Sequence, residues 1–360
     1  MQGNWLNEFA CRRPLWLPVD DLSPRMVLAS RVSISRNLRG MLFTPFAGQE
    51  KTAETVCHIL HSEISRLPGW DDVTELEPRL MPPDHRAFLR ERGLFRDSFC
   101  QIAHDGLAML RKDEQGCCFC NDRDHLRVMY WSNRLELNKL QNSCQQFVDA
   151  LAKRLDFCEN DYYGYLCRDV DLCGAGVFME VLLHLPALVL VEANRRKVLA
   201  QITDAVKESG NFLEAPSTPE LGAVCILRSG HLSREAAVAA PALLAKVAEQ
   251  ACECELNERR RLARLNPVDL YDLVSRARGL ARSAYKMSES EMRNCLSAIW
   301  LGREYGLFRQ TGTSSVQELF GNAGSATIRM LHPEGIQGQE WTEDLCAQLR
   351  IDMLRQNLDL

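Results

Sequence analysis

The sequence predicts an α+β fold: a mainly antiparallel sheet flanked by helices, followed by an all-helical C-terminal module. Three observations carry that prediction. Short β-prone runs recur through the middle third at 107–110, 117–120, 125–131, 164–167 and 223–227. Between them lie stretches of helical period at 135–155 and 188–206, and links of hairpin length beside long helices favour an antiparallel sheet. After about Ser233 the strand signal disappears.

Taken in chain order, Ala53, Val56, Cys57, Leu60, Ile64 and Leu67 recur at spacings of three and four, the pattern of a helix with one buried face. Leu67-Pro-Gly ends it. This stretch belongs to a small helical part that runs to about residue 75. In the C-terminal half, Asn266-Pro267 is a helix N-cap with proline at the first helical position, and Ser288 with Glu291 has capping-box spacing. The Gly, Ser and Thr content of 309–339 predicts a mobile connection to a last helix from about Trp341. The division expected is a domain over 1–248 and a helical module over 249–360. Pro241, inside an alanine-rich helical run, blurs that boundary.

Composition narrows the function classes. The 360 residues are 46% hydrophobic and 25% charged, with 43 Lys plus Arg against 48 Asp plus Glu, so the net charge of −5 argues against a nucleic-acid or anionic-membrane surface. The start lacks the basic and apolar regions of an export signal, and the apolar run 181–191 is cut by His184 and Pro186 and is too short to span a bilayer. An odd count of 15 cysteines suits a reducing compartment, and the expectation is a soluble, cytoplasmic protein.

Three segments carry chemistry. Val27-Leu-Ala-Ser-Arg-Val-Ser-Ile-Ser-Arg-Asn-Leu-Arg39 resembles the signature S-S-R-x-R-x-x-R-N of the phosphagen kinases. Asn121-Asp-Arg-Asp-His-Leu-Arg-Val128 resembles N-E-E-D-H-L-R-[VI] of the same family, and Gly174-Ala-Gly176 with His184-Leu-Pro-Ala-Leu188 resembles its G-T-G-L-R…H-L-P-A-L. Residues 281–308, with Leu296-Ser297, Leu301-Gly302 and Gly306-Leu307, are similar to the helical module of the bacterial protein-arginine kinases, the McsB group. The resemblance covers roughly residues 20 to 310 and implies the phosphagen-kinase catalytic-domain fold.

It also implies ATP-dependent phosphorylation of a guanidinium nitrogen. Arginines cage the nucleotide phosphates through bidentate charge-assisted bonds, magnesium bridges those phosphates, and a carboxylate accepts the guanidinium proton. Of the five phosphate-binding arginines the resemblance places here, Arg31 and Arg127 are present, while Ser33, Phe178 and Glu214 stand at the other three positions. Arg92 aligns with a histidine that helps form the family's nucleotide site. At about 1.5 to 3 kcal/mol per charge-assisted contact, three losses remove roughly 5 to 9 kcal/mol. A micromolar ligand binds with only about 8 kcal/mol.

The family's catalytic carboxylate falls at Arg123, whose guanidinium stays protonated and cannot serve as base. Asp122, one position earlier and one methylene shorter than the family's glutamate, is the candidate substitute. The substrate-side T-x-C-P motif becomes Cys167-Arg-Asp-Val170. The element R-D-x-x-R-A, which in active members reads phosphoarginine, becomes Glu343-Asp-Leu-Cys-Ala347 without either arginine.

The resemblance therefore implies a degenerate, McsB-like pseudokinase that binds protein partners as a regulatory or scaffolding subunit. No intact catalytic set and no cofactor are expected. The alternative is an active ATP:guanido phosphotransferase that uses ATP and magnesium through Asp122 or Asp169. The partners implied are a McsA-like activator, Clp-type degradation machinery and a second copy in a homodimer, with no nucleic acid or membrane.

Bland roles are expected for several residues. His184 to Leu188 read as core, and Asp124 and His125 as hydrogen-bonding within the sheet. Arg31, Arg36 and Arg127 read as relics paired with Asp122, Asp169 or Glu180, because a buried guanidinium needs a carboxylate. Cys117-Cys-Phe-Cys120 with Cys252-x-Cys254, or Cys57 with His58 and His61, supply metal-ligand atoms, but the second cysteine pair has poor ligand spacing and no metal site is expected.

Overall fold

The computed structural model describes residues 2–12, 26–43, 50–102, 106–214, 222–307, 314–332 and 340–358. Ten strands are present among them: β1 (Val27–Arg36), β2 (Val73–Leu76), β3 (Leu107–Arg111), β4 (Gly116–Cys120), β5 (Leu126–Ser132), β6 (Glu159–Asn160), β7 (Gly164–Tyr165), β8 (Val177–His184), β9 (Phe212–Glu214) and β10 (Val224–Arg228). Eight form one sheet in the order β2-β3-β4-β5-β1-β8-β10-β9, and β6 with β7 makes a separate hairpin. The pairings β2·β3, β3·β4, β4·β5 and β1·β5 are antiparallel, the middle two joined by links of the expected hairpin length.

The structure differs from the sequence reading at three places. The run 164–167 is not part of the large sheet; Gly164, at φ +73, turns it into the hairpin, and a Cβ there would lie 2.6 Å from the Gly174 carbonyl oxygen. The first signature segment, read for its arginines alone, is itself the ten-residue strand β1, buried along nearly its whole length. The stretch 188–206 is also not one helix. It breaks into Pro186–Val189, Glu192–Asn194, a π-helical turn Arg195–Leu199 and Ala200–Glu208.

The chain divides into two compact units. One comprises Ala29–Val181 and Arg228–Lys246; the other comprises Met1–Leu28, Leu182–Leu227 and Val247–Leu360. In the first, helix Leu137–Ala152 buries Leu137, Leu140, Cys144, Phe147, Val148 and Leu151, and the Cys144 thiol donates to the Val32 carbonyl at 3.3 Å. The helix predicted over residues 50–67 ends at Ile64.

Pro241 does not interrupt the C-terminal helix, which runs unbroken from Arg234 to Leu265. Proline removes the N–H that would serve the carbonyl four residues back, and Gln141 supplies the substitute by donating to the Ala237 carbonyl at 2.9 Å.

In the other unit, Asn266 and Pro267 open helix Pro267–Ser283, and Ser288 with Glu291 forms the expected capping box at the head of Glu289–Glu304. Within the predicted mobile connection 309–339, the described residues instead carry helices Val316–Gly321 and Ser325–Leu331. The first has a capping box of its own, Ser315 with Glu318, inside the Ser/Thr-rich run that reads from sequence as a linker. Residues 309–313 and 333–339 of that segment lie outside the described residues. The last helix is Glu343–Asn357, capped by Thr342.

Candidate active site

The register of β1 against β5 pairs Arg31 with Trp131, Ser33 with Met129 and Ser35 with Arg127. Side chains alternate along a strand, so Arg31, Ser33 and Arg127 project from one face of the sheet, as the motif alignment requires. Beyond β5 the same face carries Phe119, opposite Arg127. The turn from β4 to β5 is closed by the Asn121 N–H donating to the His125 carbonyl at 2.8 Å. Asn121 sits at φ +57, a conformation asparagine tolerates better than most residues, and this turn presents Asp122 and Arg123.

Every carboxylate at this face is already engaged by an arginine. Asp122 Oδ2 accepts from Arg127 Nε at 2.6 Å, with side chains 0% and 3% exposed. Its other oxygen accepts from Ser98 Oγ at 3.4 Å. Arg123 Nη1 lies 3.0 Å from Asp169 Oδ2 at the more open rim. Glu180 Oε1 accepts from Arg228 Nε at 2.9 Å, and its Oε2 lies 4.0 Å from Arg31 Nη1. Arg31 also donates to the Gly93 carbonyl at 3.2 Å. Burial alone would raise the Glu180 carboxyl, but Arg31, Arg228 and Arg96 together hold it below its ordinary value.

The expected relic pairing thus holds for Arg127 with Asp122 and for Arg31 with Glu180. Asp169 pairs with Arg123 instead. Arg36 has a different environment from the one expected: it donates to the carbonyls of Ser35 and Ala175 at 2.7 and 3.0 Å and stacks on Tyr165 with its guanidinium carbon 3.5 Å from the ring centroid. Carbonyl oxygens and a π face replace the carboxylate. Burial lowers the Arg36 guanidinium to about 10.

Arg96 is a site residue that sequence reading misses. It precedes helix Asp97–Ile102, its guanidinium carbon lies 5.8 Å from the Phe178 ring centroid, and repulsion from Arg127 together with burial lowers it to about 10. No family motif contains it, so no sequence signal marked it.

Among the other singled-out residues, Ser33 is buried, and Arg92 is buried with its guanidinium carbon 5.2 Å from the Phe88 ring. Glu214 is exposed at the end of β9 and belongs to the other unit. Asp124 and His125 do hold the fold. Asp124 accepts from Asn37 Nδ2 at 2.7 Å and from the Arg168 N–H at 2.8 Å; His125 Nδ1 accepts from the Leu38 N–H at 3.0 Å, so its Nε2 donates to the Leu42 carbonyl at 2.7 Å.

His184 is likewise core. It stacks on Trp300 at 4.4 Å and bonds Ser297 Oγ at 3.1 Å, and burial pushes its imidazole well below the ordinary value. Glu255, invisible to motif reading, accepts from the N–H groups of Ala187 and Leu188 at 2.9 Å each and is bound in turn by Arg259 Nε at 2.6 Å.

In the segment 343–347, aligned with the family's phosphoarginine element, Glu343 faces Arg350, which is fully buried. Arg350 donates to Glu343 at 2.9 Å, to Ser325 Oγ at 2.5 Å and to the carbonyls of Ala323 and Met287 at 2.7 and 3.3 Å. A cavity of about 490 Å³ lies elsewhere in the same unit as the motif residues, lined by Trp70, Arg111, Tyr130, Glu136 and Phe147 and by none of those residues.

Residues 55–209 match the family model of the ATP:guanido phosphotransferase C-terminal catalytic domain, and residues 267–360 match that of the protein-arginine kinase McsB C-terminal domain. Solved structures agree on the fold. A duplicated taurocyamine kinase from Schistosoma mansoni superposes with a TM-score of 0.56 at 17% identity, covering 77% of this chain, which spans only 40% of that enzyme's length. A lombricine kinase superposes at 0.51 and 16% identity, covering 67% of this chain and 71% of that one. The chain is therefore a member of the phosphagen kinase superfamily.

Within that superfamily it belongs to the protein-arginine kinase, or McsB, group. The protein-arginine kinase of Halothermothrix orenii is 24% identical over 93% of each chain, and that of Moorella thermoacetica is 27% identical over 83% of this chain and 85% of its own.

Proposed function

We propose that this chain is a pseudokinase of the protein-arginine kinase group that works by binding other proteins, as a regulatory or scaffolding subunit in the cytoplasm. The observation that carries this reading is the 2.6 Å pair of Asp122 and Arg127: the one carboxylate left at the base position is bound to an arginine that the resemblance assigns to nucleotide phosphate. Asp122 has both oxygens engaged and the Arg127 charge is spent on it, with Arg127 Nη2 left buried and without a hydrogen-bond partner.

The residues at the face do not fit magnesium-ATP in the family's manner. Ser33 and Phe178 offer no charge, Arg31 is engaged by Glu180 and Gly93, and a triphosphate would have to displace two carboxylates to reach Arg31 and Arg127. The alternative, an active phosphotransferase using Asp122 or Asp169, requires one of two ion pairs to open first. By family resemblance the partners are a McsA-like activator, Clp-type degradation machinery and a second copy of the chain. No described helix is long and apolar enough to cross a membrane.

The test is a thermal-shift titration with magnesium-ATP, because a ligand that binds only the native state raises the melting temperature once its concentration exceeds Kd. Millimolar nucleotide is expected to leave the transition within about a degree of the apo value. A saturable rise at tens of micromolar overturns the proposal.

A further inference from the structure

Of the cysteine clusters visible in the sequence, one gains a partner in the fold. Cys118 and Cys120 are two residues apart on β4 and share a face, and both are fully buried. Helix Glu50–Ile64 packs against that strand, and its position is fixed beside the cluster: the Asn121 side-chain amide donates to the Ala53 carbonyl at 2.9 Å. Cys57 stands one helical turn beyond Ala53 on the same helix face, the face that meets the end of β4 where Cys120 lies. Cys120 touches Cys118. All three are reduced, and of the three only Cys57 is partly open to solvent.

We propose that Cys57 and Cys120 form an oxidation site in which hydrogen peroxide converts the folded protein to a Cys57–Cys120 disulfide. The Cys57 sulfur attacks the peroxide, the O–O bond breaks, and water leaves as the sulfenic acid forms. The Cys120 sulfur then attacks the Cys57 sulfur, the S–O bond breaks, and the departing hydroxide takes the Cys120 proton as a second water. Two thiols and one peroxide give one disulfide and two waters. The order of events follows from access, since the peroxide reaches the half-buried thiol and the buried one resolves it.

Contact with Cys118 and then burial keep the Cys120 thiol well above its ordinary value, so it stays protonated and unreactive until the neighbouring sulfenic acid appears. The bond ties helix Glu50–Ile64 to the strand end that carries the Asn121 turn and, through it, Asp122 and Arg123. The inference is independent of nucleotide binding and of the pseudokinase reading.

The test treats the purified full-length protein with hydrogen peroxide in native buffer, quenches with catalase, unfolds it in N-ethylmaleimide and maps the peptides. The expected result is a linked pair of peptides containing Cys57 and Cys120, a loss of two hydrogens in the intact mass, and a rise in the urea midpoint that dithiothreitol reverses. Cys57→Ser should abolish the link. Cys120→Ser should leave a Cys57 sulfenic acid that dimedone traps.

Should the buried Cys120→Ser variant fail to fold, Cys57→Ser alone still decides, because it alters only a half-buried side chain. A Cys57 that proceeds to sulfinic acid without a bond, a bond to any other cysteine, or a link seen only in urea each overturns the proposal.

Discussion

Arg127 and Asp122 neutralise one another at 2.6 Å inside the protein, at the sheet face that also carries Arg31 and Ser33. Breaking a buried pair from one side leaves an uncompensated charge, at a cost of about 3 to 5 kcal/mol. The penalty is aggravated here because Arg96, already lowered by Arg127, would lose the negative charge that most supports it, Asp122. Asp122→Asn should therefore destabilise the protein by that amount in urea unfolding, while Asp122→Leu with Arg127→Met should recover most of it. A loss under about 1 kcal/mol for Asp122→Asn would mean the pair is loose and the carboxylate available.

Two buried histidines make stability sensitive to mild acid. Burial lowers both His184 and His125, so below about pH 6.5 the unfolded chain takes up protons that the folded chain refuses. Stability should be flat from about pH 7 to 8 and fall as the pH drops below about 6.5, by up to about 1.4 kcal/mol per pH unit for each histidine. The carboxyls that the fold lowers, such as Glu180 and Glu343, act only in more acid solution. His184→Phe keeps a ring against Trp300 and should halve the slope between pH 6.5 and 5, read from urea midpoints. An unchanged slope would place the proton uptake elsewhere.

At the C-terminal module, Arg350 is held by one carboxylate, one hydroxyl and two carbonyls. With its donors committed, it has nothing to offer a phosphoguanidinium. Millimolar phosphoarginine should leave the melting temperature unchanged, and Arg350→Ala should destabilise by about 2 to 4 kcal/mol, since buried carbonyls and Glu343 lose their donor together. A melting shift with phosphoarginine that vanishes in Arg350→Ala would reverse this.

Much of this was legible because the relevant signals are local. The β5 and β4 runs and the capping box at Ser288 follow from spacing within a short segment, whereas Arg31 and Arg127 share a face through the pairing of β1 with β5. What the sequence hid depends on partners far apart in the chain. Pro241 reads as a helix breaker until Gln141, about a hundred residues earlier, is seen to cover the orphaned carbonyl. Arg96 carries no motif and becomes a site residue only through Arg127 and Phe178. The departures from the family motifs were visible as substituted residues; that the surviving charges have paired off among themselves is a fact of three-dimensional geometry.

Those pairings refine what restoring the family residues should do. Arg123→Glu alone removes the partner of Asp169 and sets two carboxylates side by side at the rim, so it should yield neither binding nor turnover. The cage governs affinity, whereas the base acts only in the transition state. Ser33→Arg, Phe178→Arg and Glu214→Arg together should therefore raise magnesium-ATP affinity first, by roughly 15- to 150-fold if a third of the roughly 5 to 9 kcal/mol of missing contacts is regained. Adding Arg123→Glu to those three should then permit acid-labile phosphoarginine to form on an arginine-rich protein. Wild-type protein should form none at saturating ATP, even with an activator present. Phosphoarginine made by the wild type and lost in Asp122→Asn would show that the Asp122–Arg127 pair opens during turnover, and would make this chain an active kinase with a relocated base.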